Sequence, residues 1–148
     1  MPLPEFNADG DLPPGVYQVT LAEVLARFDE GSAQRRVVAG RLVRLHQLAT
    51  STGCVARFVV FGSFVTAKPE PRDVDVVLIM EDRFDVSVVS GDVAAVFNHS
   101  EADARLGASV FWATRSGAFG GEQAMVEYWQ VRRGGGQRGI LELIPETT

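Results

Sequence analysis

The chain has 148 residues, 46% of them hydrophobic, and a formal net charge of −5. That length suits one domain with a single core, and the acidic balance argues against bulk electrostatic binding of nucleic acid. No apolar run approaches the roughly 18–20 residues needed to cross a membrane, and the opening Met1-Pro2-Leu3-Pro4-Glu5 lacks the basic and apolar regions of a signal peptide.

Residues 1–19 carry four prolines and the run Asp9-Gly10-Asp11, and read as an extended arm closing with Leu12-Pro13-Pro14-Gly15. A single domain is expected over residues 20–148. Thr20 and Glu23 have the spacing of a capping box, so a short helix should follow, with Leu21, Val24, Leu25 and Phe28 on one face. Gly31-Ser32 breaks it, and Ser32 can cap a second helix running to about Ser51. Along that helix Val38, Leu42, Leu45 and Leu48 form the apolar stripe. Arg35, Arg36, Arg41 and Arg44 fall mainly elsewhere around it and read as a solvated face, or as a surface for phosphates or an acidic partner. His46 lies inside this helix, with no second ligand at metal spacing, and reads as a surface or boundary residue.

Gly53 ends the helix. Cys54, the single cysteine, excludes an internal disulfide framework. It reads as a small buried side chain, and a reducing cytoplasm is the expected compartment. A strand is expected from about Arg57 to Phe61 and a second from about Asp73 to Met80. Between them stand Gly62-Ser63 and Lys68, the one lysine among fourteen basic residues. Residues 85–98 mix β-branched and helical patterns. A helix from about Ser90 is the better reading, because a crossover is needed to reach the next strand. His99 would sit at its end. A third strand over Ala108–Ala113, a helix over Glu122–Val131, a turn at Gly134-Gly135-Gly136 and a last strand over Ile140–Ile144 complete the chain. Trp112 and Trp129 read as core or sheet-covering residues, with stacking on a base as a second reading for Trp112.

The chemistry concentrates at Phe61-Gly62-Ser63 and, ten residues after Ser63, at Asp73-Val74-Asp75. On a strand, residues i and i+2 share a face, so Asp73 and Asp75 place two carboxylates side by side. Like charges that close are costly unless a cation joins them. Hard oxygens at that separation suit Mg2+ that keeps its waters and shares a phosphate. The Gly-Ser turn offers N–H groups and a hydroxyl to the same phosphate, and Lys68 falls where a flexible cation can reach it. The plainer reading of the aspartates is a pair of solvated residues at a strand entry. The Gly-Ser turn just upstream favours the site. No zinc ligand set is present, and the serine-hydrolase elbow is missing.

A strand, Gly-Ser, a short gap and then Asp-x-Asp on the next strand resembles the nucleotidyltransferase superfamily related to DNA polymerase β. Leu12-Pro13-Pro14-Gly15, Gly62-Ser63-Phe64-Val65-Thr66-Ala67-Lys68, Asp73-Val74-Asp75-Val76 and the turn leading into Gly139-Ile140 are similar to a small bacterial branch of it. The resemblance spans nearly the whole chain. It implies an α/β (α+β) fold, a small mixed sheet with helices packed on it and N-terminal helices before the sheet. It also implies Mg2+ or Mn2+ held at Asp73 and Asp75, a nucleoside triphosphate whose outer phosphates lie on Gly62 and Ser63, and transfer of a nucleoside monophosphate to a protein or RNA hydroxyl. Small members act as antitoxins that modify or mask a partner toxin, and this chain is similar to them in size. The superfamily's third carboxylate has no match: Ser109 aligns with it, and Glu142, Glu101 and Asp103 lack the spacing to replace it. The alternative implied is a binding protein that keeps the fold without the chemistry.

Overall fold

The computed structural model describes residues 3–132 and 134–145, and the remaining ends of the expected arm and domain lie outside the described residues. Five strands form one mixed sheet in the order β1-β5-β2-β3-β4. They are β1 (Val16–Thr20), β2 (Val55–Phe61), β3 (Val74–Met80), β4 (Ala108–Thr114) and β5 (Ile140–Ile144). β2 lies antiparallel to both β3 and β5, whereas β1 runs parallel to β5 and β4 parallel to β3. Among the described residues no helix is long and apolar enough to cross a membrane.

The first two helices begin where their caps predict. α1 (Leu21–Phe28) opens with the complete capping box: the Thr20 hydroxyl accepts from the Glu23 N–H, and the Glu23 carboxylate accepts from the Thr20 N–H. The Thr20 N–H, and after it the Thr20 hydroxyl, which also donates to that carboxylate at 3.1 Å, hold the Glu23 carboxyl below its ordinary range. α2 (Ala33–Thr50) starts at Ser32, whose hydroxyl accepts from the Arg35 N–H. α3 (Gly91–Val96) follows Ser90 as expected, and α4 (His99–Glu101) continues into a π-helical turn over Ala102–Leu106. α5 (Glu122–Tyr128) stops three residues before Val131, because Val131 bridges to Gln137 across the Gly134-Gly135-Gly136 turn. His99 therefore opens a helix rather than closing one.

Two cores sandwich the sheet. On one face Val38, Leu42, Leu45 and Leu48 of α2 pack with Phe58, Val60, Val76 and Leu78. On the other, Val59, Val77, Ile79 and Ile140 meet Val126 of α5 and the partly buried Trp129. Period-two alternation along β2 and β3 supplies both sets.

The N-terminus differs from expectation. The last residues of the expected arm form β1, so a strand precedes the helices. Its register runs Val16↔Ile140 to Thr20↔Ile144. The partner is β5, more than a hundred residues away, so nothing local to Val16–Thr20 reports the pairing. Upstream of β1 the chain is also docked. The Gly139 N–H donates to the Leu12 carbonyl at 2.8 Å, and the Ala67 N–H donates to the Gly10 carbonyl at 2.8 Å. A Cβ on Gly139 would come within 2.5 Å of the Pro13 carbonyl oxygen, which explains why glycine leads into β5.

Candidate functional site

The end of the sheet where β2 stops and β3 and β4 begin opens into a cleft of about 1250 Å³. All five residues expected to carry the chemistry line it: Gly62, Ser63, Lys68, Asp73 and Asp75. Asp75 pairs in register with Phe61 on one side and Ser109 on the other. Asp73 precedes the first strand residue, and its Oδ2 accepts a hydrogen bond from the Ser109 hydroxyl at 3.1 Å. Ser109 thus touches the aspartate pair from the neighbouring strand.

Gly62 adopts φ +83° and ψ −165°, a region open essentially to glycine alone. A Cβ there would lie 1.9 Å from Asp75 Oδ2. The bare Cα is what lets the Asp75 carboxylate rest against the turn. After Gly62, Ser63–Val65 form one 3-10 turn, and the Thr66 hydroxyl donates to the Ser63 carbonyl at 2.7 Å.

Arg35 holds this loop from beneath, which corrects its expected place on a solvated face. It is 5% exposed and donates to the carbonyls of Phe28 at 3.0 Å, Phe64 at 2.9 Å and Lys68 at 2.6 Å, and also to that of Thr66. Burial lowers the guanidinium's pKa, but arginine starts so high that it stays charged. The other α2 arginines divide. Arg41 lines the cleft and donates to the Arg72 carbonyl at 3.1 Å, while Arg44 pairs with Asp92 at 2.9 Å.

The opposite wall comes from the N-terminal segment and the hairpin after α5. Asp11, only 3% exposed, forms an ion pair with Arg132 at 3.0 Å and accepts from Arg138 at 3.4 Å, and all three residues line the cleft. Nothing in their spacing announces this cluster, since it joins residues over a hundred positions apart.

Aromatic rings form the remaining side. Trp129 lies 4.6 Å from Phe61 and 4.8 Å from Phe111, centroid to centroid. Its Nε1 is, among the described residues, the one buried side-chain polar atom without a hydrogen-bond partner. Trp112 is not in the cleft. It sits edge-on to Phe84 and Phe97 and donates to the Phe97 carbonyl at 3.0 Å, which makes it a core residue. His99 does line the cleft, with its ring 5.0 Å from that of Phe111 and its Nδ1 3.3 Å from the Val110 carbonyl. His46 instead packs on Phe58 at 5.2 Å, and Cys54 is buried.

Of the carboxylates weighed against Ser109, Glu142 is committed elsewhere. It takes two hydrogen bonds from Arg57, at 2.7 and 2.9 Å, and these raise the arginine's pKa. Glu101 faces Arg105 at 3.9 Å, outside the cleft lining. Asp103 alone reaches the cleft. Among the described residues no group of three or more His, Cys, Asp or Glu side chains comes together as a metal cluster.

A family model of unknown function matches residues 4–144, nearly the whole chain. The chain belongs to the DUF6932 family. No curated protein and no solved structure matched it. The DUF6932 match begins in the segment that packs on Gly139 and ends with β5, so the family unit takes in every wall of the cleft.

Proposed function

We propose that this DUF6932 chain is a nucleotidyltransferase-like protein of the DNA polymerase β type. It binds a nucleoside triphosphate with Mg2+ or Mn2+ and transfers the nucleoside monophosphate to a hydroxyl of a partner protein, such as a toxin, or of an RNA. The observation that carries this reading is the contact between Gly62 and Asp75: turn and carboxylate are built as one unit. The Gly-Ser turn at the end of β2 and the aspartates at the start of β3 support the nucleotidyltransferase fold as the finer description of the mixed sheet.

The donor set fits the metal. Asp73, Asp75 and Ser109 offer two carboxylates and a hydroxyl, hard oxygens of the kind Mg2+ takes alongside water and phosphate. Asp73 and Asp75 would hold the ion, which when bound neutralises phosphate charge and makes the α-phosphorus more electrophilic. Gly62 and Ser63 bind the outer phosphates through N–H groups and a hydroxyl, with Lys68 adding positive charge. The acceptor oxygen forms its bond to the α-phosphorus as the bond to pyrophosphate breaks, and the acceptor hydroxyl gives its proton to solvent water. Positioning and charge stabilisation supply the acceleration.

Incubation with labelled ATP, GTP, CTP or UTP and Mg2+ or Mn2+, with and without cell lysate, tests the proposal. Label transfer is expected, and Asp73→Ala/Asp75→Ala should abolish it. Absence of both transfer and aspartate-dependent nucleotide binding would sink the reading.

Ser109 favours a second reading, a nucleotidyltransferase-fold binding protein without turnover. A serine next to Asp75 in register is a neutral, weak ligand and cannot act as a base without a partner. On this reading the wild type binds nucleotide but transfers nothing. Ser109→Asp, which places a third carboxylate beside the pair, should then lower the metal-free melting temperature through like-charge repulsion. It should also tighten Mg2+ binding, measured by titrating the ion against the thermal midpoint. Unchanged Mg2+ affinity would count against Ser109 as the missing position.

A further inference from the structure

We infer that the aromatic side of the cleft is the seat of a purine base, so that the ligand class is a purine nucleoside triphosphate. This rests on the nucleotide reading above and deepens it. Phe61 is the register partner of Asp75, and Phe111 lies two residues beyond Ser109 on the same face of β4. The rings therefore begin directly beside the aspartate pair. Trp129 stacks against both at tilts of 36° and 32°, which fixes the wall from behind. Tyr128 stands edge-on to Trp129 at 5.4 Å and extends the wall outward.

The wall is open where a ligand would meet it. Phe111 is 37% exposed and Tyr128 63% exposed, although both line a concave site. Large aromatic surface left in water inside a cleft is a binding face awaiting a flat partner. The same cleft carries Lys68 and Arg72 on the Gly62 side, while Arg132 and Arg138 are paired with Asp11, so its occupant combines an anionic group with that flat group. A peptide side chain would satisfy the rings and leave the cations unused. A nucleoside triphosphate satisfies both, with its phosphates on the Gly62 side and its base over Phe111 and Tyr128.

The purine preference follows from what does the reading. Among the described residues no Asn or Gln, the side chains that read an adenine edge through paired hydrogen bonds, lines the cleft, and of the arginines that could read guanine Arg132 and Arg138 are held by Asp11 and Arg41 by the Arg72 carbonyl. Discrimination then comes from stacking strength, a modest preference that goes to the two-ring bases. ATP and GTP should bind alike, and both should bind more tightly than CTP or UTP.

Calorimetric titration in Mg2+ with ATP, GTP, CTP and inorganic tripolyphosphate tests this. The wild type is expected to bind ATP about ten-fold more tightly than tripolyphosphate, the gain typical of one stacked base. Phe111→Leu/Tyr128→Ala should lose that gain while tripolyphosphate binding stays unchanged, which also reports an intact fold. Tyr128→Ala alone, at an exposed position, provides the same comparison if the double variant is unstable, and Tyr128→Phe should restore the affinity. Equal affinity for ATP and tripolyphosphate in the wild type overturns the base seat and leaves the anion site standing. ATP affinity untouched in the aromatic variants does the same, and CTP binding as tightly as ATP overturns the purine assignment. Failure of the wild type to bind any of the four overturns the nucleotide reading as well.

Discussion

Gly62→Ala is expected to remove Mg2+-dependent nucleotide binding and to lower the melting temperature by roughly 2–12 °C. Two effects add. The backbone at φ +83° lies where an L side chain costs about 1–3 kcal/mol before any contact is counted. The new methyl group would then sit 1.9 Å from Asp75 Oδ2 and 2.8 Å from Asp75 Cγ, so the carboxylate must move. Displacing Asp75 also disturbs its row on the sheet, between Phe61 and Ser109. A second substitution separates the two costs. Gly62→Ala/Asp75→Ala removes the carboxylate clash and should recover part of the lost stability, but none of the binding. Calorimetric midpoints and Mg2+-nucleotide titrations on Gly62→Ala, Asp75→Ala, the double variant and wild type give the full cycle. Retained binding in Gly62→Ala would show that the turn and the carboxylate do not act as a unit.

How much of this could be seen in the residues follows from the range of the interactions. The capping box of α1 and the Ser32 cap of α2 are spacings of three residues, and both elements start where those spacings put them. β5 spans the expected Ile140–Ile144, because its apolar run lies between a glycine-rich turn and a proline. Gly62, Ser63, Lys68, Asp73 and Asp75 meet in one cleft because a single loop joins neighbouring antiparallel strands. β1 was hidden because its partner enters the sheet last. The Asp11 cluster with Arg132 and Arg138 was hidden for the same reason. The tryptophans illustrate a different limit. Periodicity tells that a large ring is needed near the sheet, but not which ring borders a cavity. Trp112 is enclosed by Phe84 and Phe97, while Trp129 takes the place beside the aspartates.

Arg35 is the residue whose role most departs from its pattern, and Arg35→Met is expected to destabilise the fold by about 3–5 kcal/mol. Methionine keeps much of the stem's packing, so the loss reports the guanidinium. Its donors serve four carbonyls, those of Phe28, Phe64, Thr66 and Lys68, and these tie the end of α1 to the loop that carries Ser63 and Lys68. Without the fork, buried acceptors are left unpaired, each at about 1–3 kcal/mol unless water enters. Arg35→Lys should rescue little, because an ammonium at one point cannot reach four acceptors that a planar fork spans. Urea denaturation should therefore show both variants well below wild type, with methionine no worse than lysine by more than about 1 kcal/mol. The loop makes the stability loss a functional one. Gly62, Ser63 and Lys68 lie on the segment that Arg35 anchors, so the nucleotide affinity of either variant should fall even at temperatures where it is fully folded. A variant that unfolds more readily yet binds nucleotide as tightly as wild type would show that the loop keeps its shape without its buried arginine.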